Sequence, residues 1–391
     1  MILKILFWIF IGFILYTYLG YTLILFLFSG IKKIFTSKTP TKEENFEPEV
    51  TLVIPSFNEE PFVNEKVSNS VSLDYPKDKL KIIWITDGST DNTYDLLSRF
   101  PDITVMHEPD RRGKIHAMNR AMKIVDTPVV VFTDANSMLN RMAIREIVKP
   151  FMHVLTGCVT GEKRISASEK QKAVAAGEGL YWQYESLIKT LESETGSVVG
   201  AVGEIFAIRT KLYEEVNEDT LLDDFTLSIR TIQKGYRIKY APGAWGVETA
   251  SLSVSEETKR KVRIATGAIQ SLSRMTDLLN PFQYGFLSLK YISHKVLRWT
   301  LVPFAFPIVF LMNLLIILSA DSNLLFQILF GIQCVFYLMA FAGRLLENVK
   351  TRAGLFFTPY YLLIMNYAVL LGFFKYVSGN YSVKWQKVKR T

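Results

Sequence analysis

The chain has 391 residues, 49% of them hydrophobic and 13% aromatic, with a formal net charge of +8. That length holds one sizeable folded domain plus several membrane spans, and the positive mean hydropathy excludes a purely soluble enzyme. No basic run is interleaved with aromatics, so nucleic acid is excluded as a partner, and the surplus charge points to a membrane surface or an anionic substrate.

Residues 5–28 are almost wholly apolar and carry no charge, the length of one bilayer crossing. The stretch is too long for the core of a signal peptide and lacks a small-residue cleavage site. Lys32, Lys33 and Lys38 follow it, against Lys4 before it, which predicts an outer N-terminus and a cytoplasmic domain at the plasma (inner) membrane. Residues 38–48 are polar and Pro-bearing and read as a linker. After them, β-type runs at 50–54, 80–86, 103–106 and 129–133 alternate with helical stretches at 62–70, 92–100, 115–125 and 141–148. Strands this apolar, separated by helices, predict a mostly parallel sheet covered on both faces, with ligands at the carboxyl ends of its strands. The two cysteines, Cys158 and Cys334, give neither a disulfide framework nor zinc spacing and read as packing residues.

Four acidic or amide-bearing positions lie in order along this middle: Asn58-Glu59, Asp87, Asp134-Ala-Asn136 and Asp223-Asp224. The first three come just after β-type runs and can converge on one sheet edge. Together they suggest an enzyme that grips a metal-bound, negatively charged leaving group and keeps one carboxylate free as a base. Further on, residues 281–299 mix aromatics and aliphatics with Lys290, His294, Lys295 and Arg298, the composition of a helix in the headgroup layer or of an amphipathic core helix. Apolar spans follow at 300–320, 324–341 and 355–376. Asp321-Ser-Asn323 suits the outer side, and Arg344, Lys350 and Arg352 suit the inner side. A third full crossing would put Lys384, Lys387, Lys389 and Arg390 outside, against the charge rule. Either the tail is an exception or 355–376 is re-entrant or interfacial.

In order and spacing, Val53-Ile-Pro-Ser-Phe-Asn-Glu-Glu60, Thr86-Asp-Gly-Ser-Thr-Asp91, Arg112-Gly-Lys-Ile-His-Ala-Met-Asn119 and Thr133-Asp-Ala-Asn136 resemble the motifs of family-2 glycosyltransferases. Leu222-Asp-Asp-Phe225 with Lys234-Gly-Tyr-Arg237 resembles that family's acceptor-side motif, so the likeness runs over residues 50–270. The flanking spans resemble the membrane-bound branch that includes cellulose, chitin, hyaluronan and poly-N-acetylglucosamine synthases. The resemblance implies an α/β GT-A nucleotide-sugar domain (a mostly parallel mixed sheet with helices on both faces), an inverting mechanism, a UDP-sugar donor and a divalent metal, Mg2+ or Mn2+.

Chemistry gives each position a task. A divalent cation held by hard oxygens neutralises the charge that grows on a departing diphosphate. Asp134 is the expected ligand, directly or through water, with the Asn136 amide oxygen where the family commonly has a second Asp. Asp87 is expected to face the base or ribose, with Thr86 in place of a first Asp; the same stretch also suits a turn and a helix cap at Thr90 and Asp91. The resemblance implies that Pro55, Asn58 and Glu59 rim the uridine. Arg111-Arg112-Gly113-Lys114 sets three cations beside a glycine at a helix start, which suits a phosphate, and Lys114 is the cation favoured for it. Asp224 is the candidate general base, because inverting transfer needs one carboxylate to take the acceptor proton. Asp223 beside it raises the pKa of one member of the pair, although both also serve as charge at a helix N-terminus. Where processive members carry Gln-x-x-Arg-Trp, this chain has Arg260-Lys-Val-Arg263-Ile264. Arg263 suits the diphosphate, Arg260 assists, and Ile264 cannot stack on a sugar. Tyr181 and Trp182 supply aromatic sugar contacts or simple packing.

The chain thus divides into an anchor (1–30), a linker (31–48), a cytoplasmic catalytic domain (49–278), an interfacial helix (279–299), a membrane region (300–378) and a basic tail (379–391). Its expected reaction extends a polysaccharide at the bilayer, with export or synthase partners. The alternatives are single-sugar transfer to a lipid-linked glycan and an inactive nucleotide-sugar-binding scaffold.

Overall fold

The computed structural model describes residues 1–35, 46–166, 172–251, 253–319, 323–346 and 354–383. Most of the expected linker, with Lys38, and also Asp321, Lys350, Arg352 and the tail lysines and arginine from Lys384 onward lie outside the described residues. Eight strands form one sheet: β1 (Val50–Ser56), β2 (Leu80–Asp87), β3 (Thr104–Glu108), β4 (Val129–Phe132), β5 (Met138–Leu139), β6 (Thr156–Ser166), β7 (Phe206–Arg209) and β8 (Arg237–Thr249). Their order is β3-β2-β1-β4-β7-β6-β8-β5. The first four are mutually parallel, whereas β7 runs antiparallel to both β4 and β6.

The four β-type runs expected from the sequence all form strands, and the reason is visible in the packing. Alternate residues of each strand feed different cores. Val50, Leu52, Ile54, Trp84, Val129 and Val131 pack on one face against the helices α2 (Val63–Val71) and α5 (Ala143–Val148). Val53, Ile83, Ile85, Val130 and Phe132 pack on the other face, against α4 (Lys114–Met122) and α7 (Asp223–Gln233). Each such side chain contributes roughly 1.5–3 kcal/mol of burial. The remaining soluble helices are α3 (Thr93–Leu97), α6 (Lys172–Glu194) and α8 (Val254–Arg274).

From β1 the chain steps outward to β2 and β3, then returns to place β4 on the opposite side of β1. That reversal opens a crevice beyond the carboxyl ends of β1, β2 and β4, where open α/β sheets bind ligands. Asn58, Asp87 and Asp134 all stand at those ends.

Among the described residues, four helices are long and apolar enough to cross a membrane: α1 (Ile2–Phe35), α9 (Leu301–Leu318), α10 (Leu324–Leu345) and α11 (Gly354–Val377). The stretch whose crossing the charge rule opposed is therefore one continuous helix of 24 residues. Residues 281–299 are not one helix. Gly285, at φ +56°, separates Pro281–Tyr284 from Phe286–Tyr291, and a π-helical turn at Ile292–Val296 follows. Lys290, His294 and Arg298 are buried and point at the domain. His294 sits between Glu192 (2.8 Å) and Glu185 (3.2 Å) of α6, and Arg298 pairs with Glu185. The Tyr21 hydroxyl of α1 donates to Glu192 as well, at 2.5 Å. One buried polar network thus joins the first apolar helix, α6 and this segment. On the other side of the domain α8 lies directly on α11, at Ala265 and Gly372.

Candidate active site

The crevice has two halves. In the first, Pro55 is buried within β1, and the chain turns after it through Asn58 at φ +54°. The Asn58 Oδ1 accepts from the Thr90 N–H at 2.7 Å, its own N–H donates to the Ser89 hydroxyl at 3.0 Å, and the buried Glu59 donates its N–H to the Thr93 hydroxyl at 3.0 Å. These bonds lace the loops after β1 and β2 together. Asp87 ends β2 and is fully buried. Its two oxygens accept from the backbone N–H groups of Arg112 (3.0 Å) and Gly113 (2.7 Å). The carboxylate therefore pins the Arg111–Gly113 turn that starts α4. Gly88 permits this, because a Cβ there would lie 2.6 Å from the Arg111 nitrogen. Arg111 in turn lies over the Phe57 ring, 3.7 Å from its centroid.

The second half gathers charge. Lys114 opens α4, Asp134 follows β4, and Asp223 and Asp224 open α7. The Lys114 ammonium lies 2.8 Å from Asp134 Oδ1 and 2.9 Å from Asp223 Oδ2. Gly203, just before β7, forms the floor: a Cβ placed on it would lie 3.5 Å from Asp224 Oδ2, 3.8 Å from Asp134 Oδ2 and 3.8 Å from Lys114 Nζ. Asp134 and Asp224 therefore share one space.

Electrostatics follow from that enclosure. Burial pushes the Asp224 carboxyl up to about 7, Asp223 adds to the rise, and Lys114 opposes it. Burial also raises the Asp134 pKa, against the pull of Lys114. Burial disfavours the Lys114 ammonium, yet Asp134 and Asp223 outweigh it and hold its pKa above the ordinary lysine value. Beneath the floor, Lys66 is fully buried and donates to the Thr133 hydroxyl at 3.2 Å, and burial brings it down to about 7.

Arg260 and Arg263 project from α8 along the rim. Burial lowers the Arg263 pKa, while the charges of Asp223 and Asp134 act to raise it. Arg260 stands 3.6 Å from Glu257 and 4.0 Å from Glu204. Asn136 lies partly buried in the turn between β4 and β5. Trp182 is ringed by the ammonium groups of Lys163, Lys189 and Lys261 at 5.6, 5.4 and 5.7 Å, and Lys261 also lies 5.2 Å over Tyr181.

Sequence reasoning overlooked three parts of this arrangement. It did not assign Asp223 a partner, it left Gly203-Glu204 without a task, and it missed buried Lys163, which bridges Glu204 and Glu248 at 2.5 Å each. No local signal marked the last, since Lys163 lies between Glu162 and Arg164 beyond the buried run of β6.

The oxygens of Asp134 and Asp223, both held against the Lys114 ammonium, are hard donors suited to Mg2+ or Mn2+. Among the described residues, no group of three or more His, Cys, Asp or Glu side chains is arranged to hold a metal unaided. A cation held by so few protein oxygens would take the rest of its shell from phosphate oxygens and water.

The sequence profile described as "Glycosyltransferase like family 2" matches residues 48–281. The chain is similar to the poly-beta-1,6-N-acetyl-D-glucosamine synthase of Staphylococcus aureus, 28% identical over 236 residues that cover 58% of this chain and 56% of that protein. It is also similar to the probable glycosyltransferase YdaM of Bacillus subtilis, 26% identical over 230 residues that cover 54% of this chain and 53% of that protein. The chain spans about half the length of these curated relatives. Among solved structures it is similar in fold to the mannosyltransferase PcManGT from Pyrobaculum calidifontis in complex with GDP-Man and Mn2+, with a TM-score of 0.70 and 21% identity over 96% of this chain and all of that one. The crevice lies within the matched stretch, which is more than half of the chain, and the chain belongs to glycosyltransferase family 2, with a GT-A fold between apolar helices.

Proposed function

We infer that this protein is a membrane-bound inverting glycosyltransferase that moves a sugar from a UDP-sugar to a growing polysaccharide. The observation that carries this reading is the space over Gly203, where Asp134 and Asp224 each present an oxygen within 4 Å of one point. One carboxylate is available to the leaving group and the other to the incoming hydroxyl. In the reaction, the bond from the anomeric carbon to the β-phosphate oxygen breaks, and its electron pair stays on the diphosphate. The acceptor oxygen bonds to that carbon from the opposite face, and its proton passes to Asp224. Asp134, joined to Asp223 through Lys114 and followed by Asn136 in the next turn, would hold a divalent cation, which would supply charge neutralisation at the diphosphate. Arg263, with Arg260 beside it, offers further positive charge on that side. Pro55, Asn58 and Glu59 rim the base, and Asp87 fixes the turn that presents Lys114 to the phosphates. The domain faces the cytoplasm at the plasma membrane, where the donor is made.

A second acceptor class is favoured by one observation. A cavity of about 230 Å³ lies between Tyr18 of α1, Tyr181 and Tyr184 of α6, Trp299, and Leu362, Met365 and Asn366 of α11. The Trp299 ring lies 5.4 Å from that of Phe225, the residue after Asp224. A mostly apolar chamber between apolar helices suits a lipid-linked glycan, and Ile264 in place of a stacking Trp agrees with single addition.

The test is nucleotide release across a panel of UDP- and GDP-sugars with Mg2+ or Mn2+, followed by product sizing. A ladder of products supports polysaccharide extension and a single addition the lipid-linked acceptor. Asp224→Asn is expected to lower transfer by about 10²–10⁴-fold while sparing nucleotide binding. No metal-dependent release with any donor would leave the inactive scaffold as the reading.

A further inference from the structure

The charge balance of the crevice gives Lys114 a task of its own. Asp134, Asp223 and Asp224 put three carboxylates around one small space, and the Lys114 ammonium stands between two of them, at 2.8 and 2.9 Å. Its side chain is only 15% exposed, so water screens these contacts little. This is the position of a bridging cation. A divalent ion drawn to the same pair of oxygens would come into contact with the lysine nitrogen, and two positive charges do not share that place. The lysine is able to move, because its four-carbon stem is flexible. A departing nucleoside diphosphate also carries one negative charge more than the intact donor, and that charge needs a cation besides the metal.

We propose that Lys114 is a resident counter-ion, bridging Asp134 and Asp223 until a divalent cation arrives with the nucleotide and then moving onto the diphosphate. The identity of the anion it moves to rests on the glycosyl-transfer reading; the competition with the metal does not. Two consequences follow. The nucleotide-free protein binds divalent cations weakly, and metal and nucleotide each tighten the other's binding, since the nucleotide draws away the lysine that blocks the metal.

The experiment counts protein-bound Mn2+ from the loss of the free-ion electron paramagnetic resonance signal, on the full chain in detergent, with and without UDP, after subtraction of the Mn2+ that the same UDP binds in protein-free solution. In the unmodified protein UDP is expected to tighten Mn2+ by about tenfold or more. Lys114→Met, and Lys114→Gln as the polar variant of similar length, are expected to tighten Mn2+ by about tenfold without UDP and to weaken UDP. Lys114→Arg keeps the charge and is expected to bind Mn2+ as weakly as the unmodified protein. Neutral variants that bind Mn2+ no more tightly would overturn the proposal. Mn2+ affinity in the unmodified protein that ignores UDP would overturn it too, without any variant having to fold. Tightened Mn2+ in the neutral variants, with no sugar transferred from any donor, would uphold the counter-ion and remove the transferase reading. Sugar transfer with unaltered Mn2+ affinity would do the reverse.

Discussion

Asp224 is partly enclosed, has Asp223 next in the chain, and is relieved only in part by Lys114. Its carboxyl therefore titrates near 7 rather than near the ordinary value of 3.8. A base works only when deprotonated, so kcat/KM is expected to rise with pH through about 7 and to fall tenfold per unit below. Asp223→Asn removes a repelling neighbour and is expected to move that limb to lower pH. A profile flat between about pH 5.5 and 8 would remove Asp224 from the role. Stability carries the same titration with a defined sign. A folded-state pKa above the unfolded one means that the folded protein binds the proton more tightly, so stability falls as pH rises from 3.8 to about 7. Asp224→Asn should accordingly gain Tm over the unmodified protein at pH 8 and gain less at pH 5, as read by thermal unfolding in detergent.

At the scale of elements, α8 is both the rim that carries Arg260 and Arg263 and the surface on which α11 rests. A Cβ on Gly372 would lie 2.5 Å from the Ala265 Cβ and 2.8 Å from the Thr266 nitrogen. Gly372→Val must therefore part the two helices and draw Arg263 back from the carboxylates, with an expected loss of kcat/KM of about tenfold to a hundredfold. Gly331→Val is the control, since no atom lies within 4 Å of a Cβ there. Equal activity in the two variants would show that the contact between α8 and α11 does not position the rim. The parallel part of the sheet was legible in the sequence because β1, β2 and β4 are covered on both faces and read as continuous apolar runs, whereas β5 to β8 were not read from it. Asn58, Asp87 and Asp134 were legible because each ends such a run. Segment 281–299 was harder. Lys290, His294 and Arg298 recur every fourth residue, which reads equally as a basic face toward headgroups or as a face toward buried acids. Glu185 and Glu192 lie about a hundred residues upstream, and no local pattern ties them to it. Gly203 carries no local signal either, because its importance lies in what converges over it from α4, β4 and α7.

Over the whole molecule, several contacts among the described residues tie the domain to its apolar helices, and two of them bear on the site. One is the α8–α11 contact, and the other is the buried network in which Tyr21 of α1 donates to Glu192. Tyr21→Phe leaves a buried carboxylate short of one donor and is expected to cost about 1–3 kcal/mol, read as a lower Tm in detergent with the far-ultraviolet dichroism unchanged. A Tm equal to that of the unmodified protein would mean that this bond adds nothing to the hold of α1 on the domain, which Ser29 and Lys33 also make through Glu194. If both ties hold, the reacting carbon sits at a constant height above the lipid and the domain cannot rock to follow its product. If the product is the growing chain proposed above, each completed linkage must then be cleared by the acceptor itself sliding one unit onward, as thread advances under a needle that never leaves its frame.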